Sequence, residues 1–285
     1  MSRRRELLSK ARTGAPSAQF ELACDYDFDQ PKDRRRARFW YRKAAEQGHA
    51  DAQNCLGECL ADGVGGPKSM REALKWFRIS ADQGDADAQL SLGAALFKGE
   101  GIRKDRAEAL AWYRKSARNG HSSAQLNIGH MYRKGEGVDQ DWKRAVHWYR
   151  KAAENGNVKA MHWLGRIYGG QEDHPTDDAA AAHWYFMAAR NGDMQSQCAY
   201  GVCCMNGSGV EQNPEEAVSW YRKAADQGDE WAYYLLGVSY RHGDGIPENR
   251  RWAKYWLGRA AAKKVKKAIR ALEEIATAAT MAPRK

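Results

Sequence analysis

Alanine, tryptophan, an apolar residue and a small residue recur along this chain at i, i+3, i+4 and i+7, and the set returns every 36 residues. The tryptophans are Trp40, Trp76, Trp112, Trp148, Trp184, Trp220 and Trp256. That spacing is one face of an α-helix. Upstream of each stretch lies a second pattern: a small residue, an apolar or aromatic residue four on, then glycine. Ala52, Leu56 and Gly57 show it, as do Ala124, Ile128 and Gly129. The two patterns predict two helices per period. Gly48, Gly84, Gly120, Gly156, Gly192 and Gly228 close the first six periods, where a helix C-cap favours a left-handed residue. Loops of the form Gly-x-Gly-Val/Ile join the two helices, as in Gly135-Glu136-Gly137-Val138 and Gly207-Ser208-Gly209-Val210. Their aliphatic residue is expected to plug back into the core. Glycine inside a helix costs about 1 kcal/mol relative to alanine. Its return at Gly57, Gly93, Gly129, Gly165, Gly201 and Gly237 therefore predicts close approach of a neighbouring helix, with a tryptophan as the expected contact.

A fixed period of this length predicts a solenoid, in which each unit packs only on its neighbours. Residues 1–15 are expected to be a flexible basic arm. The units follow at 16–48, 49–84, 85–120, 121–156, 157–192, 193–228 and 229–264, with a capping helix and basic tail over 265–285. In the cap, Glu273 stands where the mid-helix glycine would be, which suits a helix with no partner beyond it. Unit 5 departs from the loop rule: Gly169-Gly170-Gln171-Glu172-Asp173-His174-Pro175 replaces the usual turn. The segment from Asp25 to Asp33 is shorter than its counterparts, as befits an end repeat.

Charge changes this picture only at the ends. The net charge is +10, yet residues 1–12 hold five basic residues and one acid, and residues 263–285 hold seven and two. The body is nearly neutral, which argues against a nucleic-acid-binding face along the array. A nucleic-acid- or acidic-surface-associated protein using its basic termini remains the alternative reading. Neither a signal-peptide stretch nor an apolar run of membrane-spanning length is visible. The six cysteines do not recur with the period, so reduced thiols and a cytoplasmic location are expected.

Catalytic strings are missing. No Ser-x-x-Lys, Gly-x-Ser-x-Gly, His-Glu-x-x-His or P-loop occurs. Glu172, Asp173, His174, Asp177 and Asp178 form one acidic loop with no convergent second half, which suits solvation better than a cation. The expectation is a non-enzymatic protein without catalytic, metal or cofactor residues.

The full pattern resembles the Sel1-like repeat family over about residues 16–264. A tetratricopeptide array has a period of 34 and lacks the Gly-x-Gly loop. The resemblance implies an all-α fold, a right-handed α/α solenoid superhelix of about seven repeats plus the capping helix. It implies an adaptor in protein assemblies, with first helices lining the concave side. Some secreted, cysteine-rich relatives have been linked to β-lactam binding, a remote hydrolase alternative whose repeated cysteines this chain lacks.

Residues that do not repeat are the informative ones for binding. On the first helices, opposite the Ala–Leu stripe, units 4 and 5 place His130, Arg133, Lys159, His162 and Arg166. Units 6 and 7 place Val202, Met205, Trp231, Tyr234, Val238 and Arg241 there. Aromatic, Met and Arg residues on a face that packing does not require have the composition of a protein-binding surface. The expected partner of this monomer is a protein segment, acidic at one end and apolar or aromatic at the other.

Overall fold

The computed structural model describes residues 2–28, 33–170 and 175–281. Sixteen helices and no strand occur among them. After α1 (Ser2–Arg12) they come in pairs: α2 (Pro16–Phe28) with α3 (Arg34–Glu46), α4 (Ala50–Asp62) with α5 (Met70–Asp82), and α6 (Ala86–Lys98) with α7 (Arg106–Arg118). Then follow α8 (Ser122–Lys134) with α9 (Trp142–Glu154), α10 (Val158–Tyr168) with α11 (Asp178–Arg190), α12 (Met194–Asn206) with α13 (Pro214–Asp226), and α14 (Glu230–His242) with α15 (Arg250–Ala262). The capping helix α16 spans Lys266–Met281. The helices form two compact units, Met1–Asn155 with α1–α9 and Gly156–Lys285 with α10–α16. Inside each unit every helix packs on the next one in the chain.

Helix starts follow local chemistry. Asp85, Asp193 and Asp229 each accept a hydrogen bond from the backbone N–H three residues on, at 2.6, 2.7 and 2.7 Å. Asn213 does the same for α13, with Pro214 in its first turn.

The deepest layer is not the tryptophans. The residues after them, Tyr41, Phe77, Tyr113, Tyr149, Tyr185, Tyr221 and Leu257, are all buried. Of the seven repeat tryptophans only Trp112 and Trp220 are buried, and the others are half-covered. The mid-helix glycines face the deep aromatic layer. A Cβ on Gly129 would sit 2.7 Å from the Tyr149 ring, and one on Gly165 2.5 Å from the Tyr185 ring. Close approach is thus present, but the contact is the residue after the tryptophan, aromatic at five of the six glycines and Leu257 at Gly237. Trp112 instead donates from Nε1 to Glu108 at 3.2 Å and carries the Lys115 ammonium 3.6 Å from its ring centre.

The second loop glycine has its own reason. A Cβ on Gly209 would overlap the Asp178 carbonyl oxygen at the start of the preceding second helix, and φ there is 74°. Val210 and Ile246 plug back against the core as expected.

Two expectations change or fall outside view. The N-terminal stretch expected to be a flexible arm is mostly the helix α1, with Leu7 and Ala11 buried. Arg4 pairs with Asp25 and lies 5.1 Å from the Tyr26 ring centre. Residues 29–32 and the loop residues 171–174, including Glu172, Asp173 and His174, lie outside the described residues. Of the remaining acidic cluster, Asp177 caps α11, accepting from Ala180 N at 2.9 Å.

Candidate protein-binding face

In the unit Gly156–Lys285, the first helices α10, α12 and α14 bury one stripe each: Ala160 with Leu164, Ser196 with Tyr200, Ala232 with Leu236. The other side of these helices borders a pocket of about 670 Å³. His162 and Arg166 of α10, Val202 of α12, and Trp231 and Tyr234 of α14 line it. Five of the eleven residues expected from the sequence thus meet at one site. Trp231 is 47% exposed, and its ring centre lies 5.3 Å from that of Tyr234. Lys267 of α16 reaches over Trp231 at 5.4 Å. Arg166 lies over Trp163 at 4.6 Å.

The other six fall elsewhere. Lys159 is exposed on α10 but does not line the pocket. Met205 is half-buried against the core and Val238 is half-buried on α14. Arg241 is held by Glu274 of the cap, Nη1 to Oε2 at 2.9 Å. His130 and Arg133 belong to the unit Met1–Asn155. There His130 Nδ1 is 2.7 Å from the Tyr149 hydroxyl, and burial, then the nearby Arg133 and Lys134, lower its pKa to about 4. It is a neutral, inward-held ring and not part of a basic surface.

Sequence reasoning missed the acids. Asp178, Asp229 and Glu230 line the pocket beside the expected cations. They sit at helix starts, outside the periodic stripe from which the face was inferred. Burial raises the Asp229 carboxyl above the usual range.

His162, Ser196 and Asp193 are the residue types of a hydrolytic triad, yet their geometry is not that of one. Ser196 Oγ at 2.9 Å and Asp193 Oδ1 at 3.4 Å both meet the same nitrogen, Nδ1 of His162. A triad needs the acid and the nucleophile on opposite nitrogens. Ser196 is also fully buried. Burial pushes the Asp193 carboxyl upward, but hydrogen bonds from His162 and Ser196 outweigh it and hold the group low. The Cys198 thiol is pushed up to about 12 by burial and by Asp229, so it is no thiolate at neutral pH. Among the described residues no cluster of three or more metal-ligating side chains occurs.

The Sel1 repeat profile matches this chain seven times, at residues 16–49, 50–85, 86–121, 122–157, 158–193, 195–229 and 232–265. The chain belongs to the Sel1 repeat family. Its fold is the all-α repeat solenoid of that family, whose members are generally protein–protein interaction scaffolds. Among solved structures, a Sel1 repeat protein from Oxalobacter formigenes is 30% identical over 95% of this chain and 80% of its own, with a TM-score of 0.77. The protein c5321, a protective antigen of uropathogenic Escherichia coli with the same repeat fold, is 31% identical over 93% of this chain, with a TM-score of 0.70. This chain spans 65% of the length of c5321. No curated protein matches it. The first matched Sel1 repeat begins at the boundary read from the sequence, the next four begin one residue after theirs, and the last two begin two and three residues after them. No helix among the described residues is long and apolar enough to cross a membrane.

Proposed function

We propose that this Sel1 repeat protein is a non-enzymatic adaptor and that a segment of a partner protein docks on its first-helix face. The observation that carries this reading is the pocket in which His162, Arg166, Val202, Trp231 and Tyr234 converge. The site offers aromatic surface and fixed polar groups, but no base aligned with a nucleophile. Arg166 and Lys267 face the pocket together with Asp178, Asp229 and Glu230. Mixed charge of this kind sets register and orientation, while aromatic contact supplies most of the affinity. A segment with an apolar or aromatic anchor flanked by charges of both signs fits better than a purely acidic one. The six free cysteines support a reducing, cytoplasmic setting.

Photo-crosslinking in the native lysate tests the proposal. A crosslinker placed at Tyr234 should capture a specific protein, and Trp231→Ala should abolish the capture. Capture only from exposed second-helix positions such as Lys143 overturns the assignment of the face. Turnover of a metabolite without any protein partner overturns the adaptor reading itself.

A further inference from the structure

The last repeat breaks the pattern of its outer face. Four residues before the repeat tryptophan, units 2, 3 and 6 carry Glu72, Glu108 and Glu216, and unit 7 carries Trp252. The glutamates have a job: Arg42, from the preceding unit, meets Glu72 at 3.0 Å, and Arg78 meets Glu108 at 3.4 Å. Arg222 holds the equivalent place next to unit 7, but donates to the Tyr240 hydroxyl at 3.3 Å. Trp252 is left 46% exposed, with Tyr255 at 49% one turn along and Ile269 at 40% on α16.

Charge along this stretch of the chain is one-sided up to Glu273, which follows one turn after Ile269. Between residues 250 and 270 there are nine basic residues and no acidic one. All nine, from Arg250 on α15 to Arg270 on α16, are exposed, and apart from Lys267, which lies over Trp231, none of them lines the pocket. The basic character assigned to the chain's tail thus begins on α15, on the same helices as the exposed aromatics.

We infer that the outer face of α15 and the start of α16 form a docking surface for an anionic lipid bilayer. Trp and Tyr settle at the headgroup level, and long basic side chains reach past them to acidic headgroups. A polybasic cluster attracts an anionic leaflet within a Debye length. Ring geometry favours lipid over single-stranded nucleic acid. Tyr240 stacks on Trp252 at 6.2 Å and 25°, and Trp252 meets Tyr255 edge-on at 5.3 Å and 89°. Bases stack on open, successive ring faces, whereas Ile269 adds an aliphatic side chain that offers stacking nothing. The inference is independent of the pocket and its partner.

Vesicle flotation with the full chain tests it. Binding is expected to vesicles of phosphatidylcholine mixed with phosphatidylglycerol, and not to phosphatidylcholine alone. It should weaken as salt is raised. Trp252→Glu with Tyr255→Ser should reduce it about tenfold or more. This change restores a residue that three other repeats carry at the position, beside an arginine placed to pair with it, so the fold should survive, as a melting curve will show. Should the double variant misfold, Lys254→Glu with Lys263→Glu, both on exposed side chains, should produce the same loss. Unchanged flotation of a folded variant, absence of vesicle binding, or capture of single-stranded RNA at physiological salt in place of vesicles would each overturn the inference.

Discussion

Gly129 and His130 are neighbours with opposite demands on Tyr149. The glycine lets the ring approach, since a Cβ would stand 2.7 Å away. The histidine holds the hydroxyl at 2.7 Å. Gly129→Val should cost roughly 1–3 kcal/mol through overpacking, and a melting temperature equal to wild type would remove close approach as the reason for these glycines. His130 makes stability depend on pH. Its folded pKa of about 4 lies below the ordinary 6.5. The unfolded chain therefore takes up the proton first as pH falls. The stabilisation is full above about pH 6.5, shrinks between there and pH 4, and is gone below. At pH 5 the loss amounts to roughly 2 kcal/mol. Urea denaturation at pH 7 and pH 5 measures it: wild type should lose more stability than His130→Gln by about that amount. Equal losses in the two proteins would show that the ring is free to protonate in the folded state.

At the scale of the helix, the repeats are tied by a polar contact that hydropathy does not reveal. Gln53, Gln89, Gln125 and Gln197 are buried at equivalent positions and each donates from Nε2 to a carbonyl of the preceding helix, at 3.1 to 3.3 Å. In three of them Oε1 accepts from the end of the next second helix: Gln53 from Gln83 at 2.6 Å, Gln125 from Asn155 at 2.9 Å and Gln197 from Gln227 at 2.8 Å, while Gln89 Oε1 has no hydrogen-bond partner. At Gln53, Gln125 and Gln197 both ends of the buried amide are satisfied, the condition under which such groups are tolerated. Units 5 and 7 replace the amide with Met161 and Tyr233, which shows that the position also accepts a packed side chain. Gln125→Met should therefore cost about 1–3 kcal/mol through the two hydrogen bonds it loses, to the Ala117 carbonyl and from the Asn155 amide. Adding Asn155→Ala should recover part of that loss, and a double-mutant cycle showing no coupling would sink the account. The helices themselves were legible because the 36-residue period repeats the same stripe seven times. What the stripe hid was depth. Trp and Tyr differ by one position, or 100° of helix, and the larger residue was the natural choice for the core. Yet the buried side chain is the one opposite glycine, and the tryptophan lies along the flank, where its N–H and ring face meet Glu108 and Lys115. The arm expected to be flexible differs for a related reason: α1 is short and arginine-rich, and its contacts with α2, apolar at Leu7 and Ala11 and ionic between Arg4 and Asp25, hold it as a helix.

For the whole molecule, the expected binding residues that share one pocket, His162, Arg166, Val202, Trp231 and Tyr234, all belong to the unit Gly156–Lys285. Counting positions along ideal helices put His130, Arg133, Lys159, His162 and Arg166 on one basic face, because helical phase alone carries no information about neighbours. Packing supplied the rest: His130 turned inward to Tyr149, Arg241 was taken by Glu274, and helix-start acids came to the pocket rim. The surviving group lies within the second unit, so partner affinity should respond to changes there and not in the first. Trp231→Ala removes a half-exposed anchor and should raise the dissociation rate, costing roughly 2 kcal/mol or more if the ring fills a partner pocket. Arg166→Glu should chiefly slow association and flatten its dependence on salt, since charges at a rim act on encounter. Arg133→Ala, in the first unit, should leave both rates unchanged. Surface plasmon resonance with the crosslinked partner separates these outcomes. A partner that leaves faster from Arg133→Ala than from Trp231→Ala would place recognition on the first unit and reduce the pocket to a packing feature.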